Sequence, residues 1–289
     1  MYTGREIAIF SDVHGLYEPL AAVLEDINNR GITEIYSLGD NIGVGPNPSE
    51  VMNLLDEYNV KSIAGNSEDY ITLGSEPFWQ YFNSFKEGSR LWTKSKLTKE
   101  QIGKIELYPH SIELLLGGKK LALCHFANDV RFDYMNGSTW TYQANFDSGN
   151  AYKQFLHTNS NTQLEEIKDN IQKYGNVPEM GGYISADKEP LFNGHSVSFY
   201  DAIVQGHVHF KLYEKGGNTD FYTLRGVGLG YSETDDVNMA SYVILKERTD
   251  EKGFDVEEVL VKYNRARMIA SIFNSDNTDY TIRTFTKMR

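Results

Sequence analysis

"REIAIFSDVHG", residues 5–15, opens as a short apolar run of strand length and ends on two residues of metal-binding type, Asp12 and His14. The segments next to it in the chain decide the fold. "EPLAAVLEDINNRG" (18–31) sets Pro19 at a first helical position, puts Leu20, Leu24 and Ile27 on one stripe and stops at Gly31. "EIYSLGD" (34–40) is a second strand, and "NPSEVMNLLDEYN" (47–59) a second helix with Val51, Leu54, Leu55 and Tyr58 inward. "VKSIAGN" (60–66) is a third strand. The alternation β-α-β-α-β calls for parallel strands joined by right-handed crossovers.

Residues 76–108 read as helical, with Thr98 and Gln101 in capping-box spacing. "SIELLLGGKKLALCHF" (111–126) reads as a β-hairpin turning at Gly-Gly. Strands return in "FYDAIVQGH" (199–207), in a second Gly-Gly hairpin (209–224), in "ASYVILKE" (240–247) and in "FDVEEVLVKY" (254–263). "NRARMIASIF" (264–273) is a short late helix. The stretch 127–200 is polar and aromatic-rich, with one helix candidate at 161–175, and is too long for an ordinary loop. The expectation is an α/β chain of mixed sheet content, a single domain over 1–289 with 127–200 as an inserted, cap-like segment.

The 289 residues are 40% hydrophobic, as in ordinary soluble globular proteins. No apolar run approaches the roughly 18 residues that span a bilayer, so no membrane partner is expected. The first residues lack a basic stretch and a small-residue cleavage site, and are not read as a signal peptide. A single cysteine, Cys124, permits no intrachain disulfide and fits a reducing compartment, and a cytoplasmic location is expected. A net charge of −12 argues against sequence-independent binding to nucleic acid. It leaves room for a phosphate substrate if metal ions supply local positive charge.

Residues of metal-binding type fall just past strand ends: Asp12 and His14, then Asp40, Asn66, His125, and finally His207 and His209. Alone, each has a bland explanation, as a turn former or a satisfied histidine. Together, seven such side chains at five strand ends are hard to assign to turns. Loops at the carboxyl ends of strands in an α/β sheet share one crevice, so these groups can meet. Two carboxylates, four imidazoles and an amide suit two divalent or trivalent borderline ions such as Mn, Fe or Zn. Calcium wants more oxygens, and a single zinc does not use seven ligands. Two metals about 3.5–4 Å apart are a standard device for phosphoryl-ester hydrolysis, in which a hydroxide between them attacks phosphorus in line.

With these residues in order, the sequence resembles the calcineurin-like metallophosphoesterase superfamily. Its blocks D-x-H, G-D, G-N-[HC]-[DE], a lone H and G-H-x-H correspond to "DVH" 12–14, "GD" 39–40, "GNSE" 65–68, His125 and "GHVH" 206–209. The stretch "LGDNIGVGPNPSEV" further resembles the bacterial YfcE-like phosphodiesterases, a group with diadenosine tetraphosphatase-like relatives. The resemblance covers about 1–126 and 201–263. It implies two mixed β-sheets packed face to face with helices outside. It also implies Asp12, His14, Asp40 and His209 on a first metal, and Asp40, Asn66, His125 and His207 on a second, with Asp40 bridging. Mn and Fe are the usual metals. On this reading Asp40 and Asn66 are central to catalysis, and the activity is hydrolysis of a small phosphodiester or nucleotide.

Three departures stand out. Many relatives carry a histidine after the third block's Asn, where it serves the leaving group; here the residue is Ser67, a poor general acid at neutral pH. The "GDxxDRG" block of protein Ser/Thr phosphatases is missing, which disfavours that role. Where relatives carry an Asn-Pro-Gly-Ser turn, this chain has "LRGVGLG" (224–230), which brings in Arg225. Arg131 and Arg225 are candidate clamps for phosphate oxygens, and Tyr134, Trp140, Tyr142 and Phe146 a candidate lid for a flat group. His195 is a weaker candidate for the missing acid, and His110 and His157 read as structural or exposed. Ser67 mildly favours activated substrates, so a dinucleoside polyphosphate hydrolase is the alternative enzyme, and a phospho-ligand binding module the alternative without catalysis.

Overall fold

The computed structural model describes residues 4–75, 84–125, 131–133, 141–143, 200–207, 209, 211–214, 219–228, 239–277 and 279–282. Its first sheet contains β1 (Glu6–Phe10), β2 (Ile35–Ser37), β3 (Lys61–Ser62), β11 (Met239–Glu247) and β12 (Phe254–Lys262), in the order β12-β11-β1-β2-β3. β1, β2 and β3 run parallel, and β11 and β12 add antiparallel neighbours on the other side of β1. The second sheet contains β4 (Ser111–Leu116), β5 (Lys119–Cys124), β8 (Ala202–Gln205), β9 (Leu212–Glu214) and β10 (Asp220–Thr223), in the order β4-β5-β8-β10-β9. Its three central strands are parallel and its two outer strands antiparallel, so both sheets are mixed. A separate two-stranded ribbon pairs β6 (Arg131–Asp133) with β7 (Thr141–Gln143).

Side chains that alternate along each strand assign the layers. On β1, Ile7 and Ile9 join Leu121, Leu123, Val204 and Val243 in the core between the sheets. The intervening Ala8 and Phe10 face the helical layer, α1 (Tyr17–Asn29), α2 (Pro48–Glu57) and α5 (Lys99–Ile105), through Leu24, Val51 and Ile105. β11 does the same, sending Val243 and Leu245 inward and Tyr242 and Ile244 to the helices. The two mixed sheets and the helices outside them match the architecture that the resemblance implies.

Local departures have plain causes. α1 begins at Tyr17, two residues before Pro19, because Pro is tolerated throughout the first turn, where N–H groups have no helical partner. β3 is cut to two residues, and α3 (Asn66–Thr72) starts where the strand was expected to run on. The helical stretch near 76–108 is broken into α4 (Ser84–Lys96) and α5 by the Thr98–Gln101 capping box, while 76–83 lie outside the described residues. The late helix, α6, spans Arg265–Phe273, capped by Asn264 accepting from the Arg267 N–H at 3.0 Å. The helix read at 161–175, the turn of the second Gly-Gly hairpin and the candidate lid residues Tyr134, Trp140 and Phe146 lie outside the described residues, and the side chain of Tyr142 with them. His157 and His195 fall there too.

Leu123 is fully buried on the central β5 and packs between the sheets. Leu123→Ala should lower the free energy of unfolding by about 2–5 kcal/mol, the usual cost of such a cavity, as measured by urea denaturation.

Candidate metal centre

The loops that leave β1, β2, β3, β5 and β8 meet at one end of the two sheets. The parallel register fixes which loops touch. Cys124 lies opposite Gln205, so the next residues are side by side, and the Gly206 N–H donates to the His125 carbonyl at 2.9 Å. The loops after β1 and β2 are tied by Asp12 N–H to Gly39 O at 3.0 Å and His14 N–H to Asp40 O at 2.7 Å. Approach is so close that a Cβ on Gly39, whose φ is +90°, would sit 2.4 Å from the Gly65 nitrogen. A Cβ on Gly206 would collide with the Ser11 hydroxyl and come 2.6 Å from Asp12 Oδ2. Glycine is required at both places.

The seven candidate side chains converge, in two groups. Asp12 Oδ1 lies 3.2 Å from His209 Nε2, which is 3.1 Å from His14 Nε2. In the second group, Asn66 Oδ1 is 3.1 Å from both His125 Nε2 and His207 Nδ1, which are 3.2 Å from each other. Asp40 Oδ2 stands between the groups, 3.6 Å from His14 Nε2 and 3.6 Å from His125 Nε2. Ligand bonds of about 2.1 Å place neighbouring donors about 3.0–3.4 Å apart, a range that the contacts within each group meet and the two from Asp40 slightly exceed.

Supporting contacts aim three of the donors. The His125 Nδ1–H donates to the Leu38 carbonyl at 2.8 Å, which leaves the Nε2 lone pair facing the centre. Asp12 Oδ2 accepts from the His207 N–H at 2.9 Å, while Oδ1 is buried with no hydrogen bond from a described residue. Asp40 Oδ1 accepts from the Ser67 N–H at 2.7 Å, turning Oδ2 to the shared position. Burial lowers His14 to about 4 and His207 to about 3, so both imidazoles are neutral near pH 7 and present lone pairs. Burial also opposes the charge on Asp12, but His209, His125 and His14 around it hold its carboxyl well below the usual carboxylate range. The donor set therefore suits borderline cations.

The backbone marks the same residues. Asp12, His14, Asp40, His207 and His209 all have φ between 52° and 71°, and Asn59 is the one other non-glycine with positive φ among the described residues. Left-handed non-glycine residues cost on the order of 1 kcal/mol or more each, and cluster where geometry serves a function.

Glu68, the acidic position of the third motif block, and several cavity residues that carry no motif complete the site. Glu68 is fully buried and accepts from the Asp40 and Asn41 N–H groups, each at 2.8 Å, and from the Gly65 N–H at 2.9 Å. Burial, with Asp40 nearby, pushes its carboxyl up to about 7. Ser67 contributes its backbone N–H and packs its side chain by Gly43, on the wall of the cavity in front of the centre. Lys86, Arg90, Thr93 and Tyr70 line that cavity from α4 and α3. A charge-assisted contact of His110 Nε2 with Asp69 Oδ1 at 2.9 Å braces α3, and this hydrogen bond raises the His110 pKa.

The two arginine candidates part from the site. The loop carrying Arg225 does face the centre: Gly226 packs on Asp12 and His209, and the Val227 N–H donates to Ser11 O at 2.9 Å. Arg225 itself points the other way, its Nε donating to Glu258 Oε1 on β12 at 2.8 Å, and does not line the cavity. The contact with Glu258 engages the guanidinium, and a phosphate clamp at Arg225 stays an expectation from the sequence. Arg131 opens β6, and its side chain lies outside the described residues.

Fold and donor set together define a metal-dependent phosphoric ester hydrolase. The calcineurin-like phosphoesterase family matches residues 5–211, and the chain belongs to that family. It is 31% identical over 268 residues to the uncharacterized protein MJ0912 of Methanocaldococcus jannaschii, covering 89% of this chain and 88% of that one. In fold it is similar to the hypothetical protein PH1004 of Pyrococcus horikoshii OT3, with a TM-score of 0.59 at 14% identity, covering 96% of this chain and 97% of that one. It is also similar to a metallophosphoesterase of Sphaerobacter thermophilus, with a TM-score of 0.55 at 19% identity and 94% of each chain covered.

Two outcomes are expected. Glu68→Ala leaves three backbone N–H groups without their acceptor and should cost about 3–5 kcal/mol of stability in urea titration. His110, with its raised pKa, contributes stability that is fully present below its unfolded value near 6.5 and lost as pH rises through its folded value. His110→Gln should therefore destabilise more at pH 5.5 than at pH 9, measured as the difference in unfolding free energy from wild type.

Proposed function

We propose that the chain hydrolyses a small phosphodiester or nucleotide at a centre of two divalent or trivalent ions, Mn and/or Fe, with Zn also compatible. The observation that carries this is Asp40 Oδ2, 3.6 Å from a nitrogen of each donor group. One carboxylate oxygen placed between two sets of lone pairs fits a bridge between two cations. Asp12, His14, Asp40 and His209 would hold one ion, and Asp40, Asn66, His125 and His207 the other. When bound, the ions would supply a nucleophile of lowered pKa and offset the charge of the phosphate oxygens.

The chain's own residues do the rest. The Ser67 N–H and the Glu68 carboxylate fix Asp40 in its orientation. The His125–Leu38 hydrogen bond fixes the imidazole tautomer. The cavity in front of the centre, about 210 Å³, opens to solvent and has room for a phosphoryl group. The segment 127–200 is proposed as a cap: β5 and β8 are parallel, so the chain leaves β5 at the metal end of the sheet before returning to the start of β8. Ser67, in place of an acid, is what favours the second reading, a dinucleoside polyphosphate hydrolase, whose leaving group needs little help. The subgroup resemblance to YfcE-like phosphodiesterases supports the first. No described helix is long and apolar enough to cross a membrane, and a cytoplasmic location belongs to the proposal.

Metal analysis should give about two ions per chain, as a two-metal site requires, with Mn-dependent hydrolysis of bis-p-nitrophenyl phosphate. Asp40→Asn should abolish turnover and lower metal content with unchanged circular dichroism. Undiminished activity in excess EDTA, with metal removal verified, would sink the proposal. A panel of diadenosine tetraphosphate against simple diesters separates the two substrate readings.

A further inference from the structure

The wall of the cavity facing the metal-ligand side chains carries a lysine with no motif around it. Lys86, in the first turn of α4, lines the same cavity as Asp40, Asn66 and His207. Its Nζ donates to Tyr70 Oη at 3.1 Å and sits 4.4 Å from the centre of the Tyr70 ring. Arg90, the other cation on this wall, is engaged by both oxygens of Glu87 and by the Tyr70 carbonyl. Asp40 acts on Lys86 electrostatically, favouring its charged form.

We propose that Lys86, positioned by Tyr70, is the catalytic residue that protonates the leaving-group oxygen. This rests on the two-metal reading and deepens it. A phosphoryl group at the centre would be flanked by the metal-ligand side chains on one side and α4 on the other, so a substituent leaving away from the ligands departs toward Lys86. In the step, the oxygen of water forms the new P–O bond as a proton of that water passes to solvent. The bond to the leaving oxygen breaks with its electron pair staying on that oxygen, which takes a proton from Nζ. The neutral amine regains a proton from solvent. Ser67 cannot take this part at neutral pH. Burial lowers the Lys86 ammonium to about 8, against the pull of Asp40, so it is charged at neutral pH yet yields a proton more readily than a surface lysine.

The test compares wild type, Lys86→Met, Lys86→Arg and Tyr70→Phe, each with verified metal content, on diesters with p-nitrophenyl, phenyl and methyl leaving groups. The Lys86→Met loss in kcat should grow from about tenfold with p-nitrophenolate to about 10²–10⁴-fold with the alkoxide. Lys86→Arg keeps the charge but not a transferable proton and should follow Lys86→Met on the alkoxide. Tyr70→Phe should show the same trend, more weakly, with KM unchanged. Independently of turnover, the ¹³C-methylated Lys86 signal of metal-free protein should titrate below the ordinary lysine value of about 10.4. A loss equal across the series, full rescue by arginine, or an ordinary titration would each overturn the assignment. Failure of wild type with two metals bound to turn over any diester would instead strike the reading beneath it.

Discussion

One buried carboxylate holds the centre in shape. Glu68 accepts three backbone N–H groups, two from the loop after β2 and one from the loop after β3. Those loops carry Asp40 and Asn66, so neither can shift without the other. The arrangement closes on itself, because Ser67, beside Glu68 on α3, donates its own N–H back to Asp40. Such a brace is needed, since five of the ligand-type residues sit in left-handed backbone conformations that an unsupported chain would leave. The cost is visible in Glu68 itself, whose carboxyl burial pushes up to about 7.

Much of this was legible from residues 5–66 and from the spacing of Asp and His past strand ends. The alternation of apolar strand and striped helix produced the parallel half of the first sheet, and the seven donors fell together as that topology requires. The split into two groups about Asp40 is what the family resemblance implies. The antiparallel addition of β11 and β12 to β1 was not legible, because strand order depends on which edges meet in space, and a single sequence carries no record of that.

Other parts were hidden for a different reason. Lys86 and Tyr70 lie on separate helices, and only tertiary packing brings both to the cavity wall. The loop that carries Arg225 meets the centre at Gly226, while the Arg225 guanidinium is engaged by Glu258. A loop's proximity says little about which of its side chains point inward. Ser67 stands out in the sequence for the side chain it lacks, yet its contribution in the structure is a backbone N–H, which no residue type announces.

The order of strands also constrains how the molecule can be made. β1 is flanked by β2 on one side and by β11, some 240 positions later in the register Glu6 to Lys246, on the other. A chain emerging from the ribosome can form β1, β2 and β3 early, but the open edge of β1 has no partner until residues 243–246 appear. Ile7 and Ile9 likewise wait for Val243 and Leu245 to complete the core between the sheets. Such long-range closure is slow, and it leaves an unpaired edge and apolar surface exposed throughout elongation. The half-made chain therefore carries that exposed edge until β11 is in place.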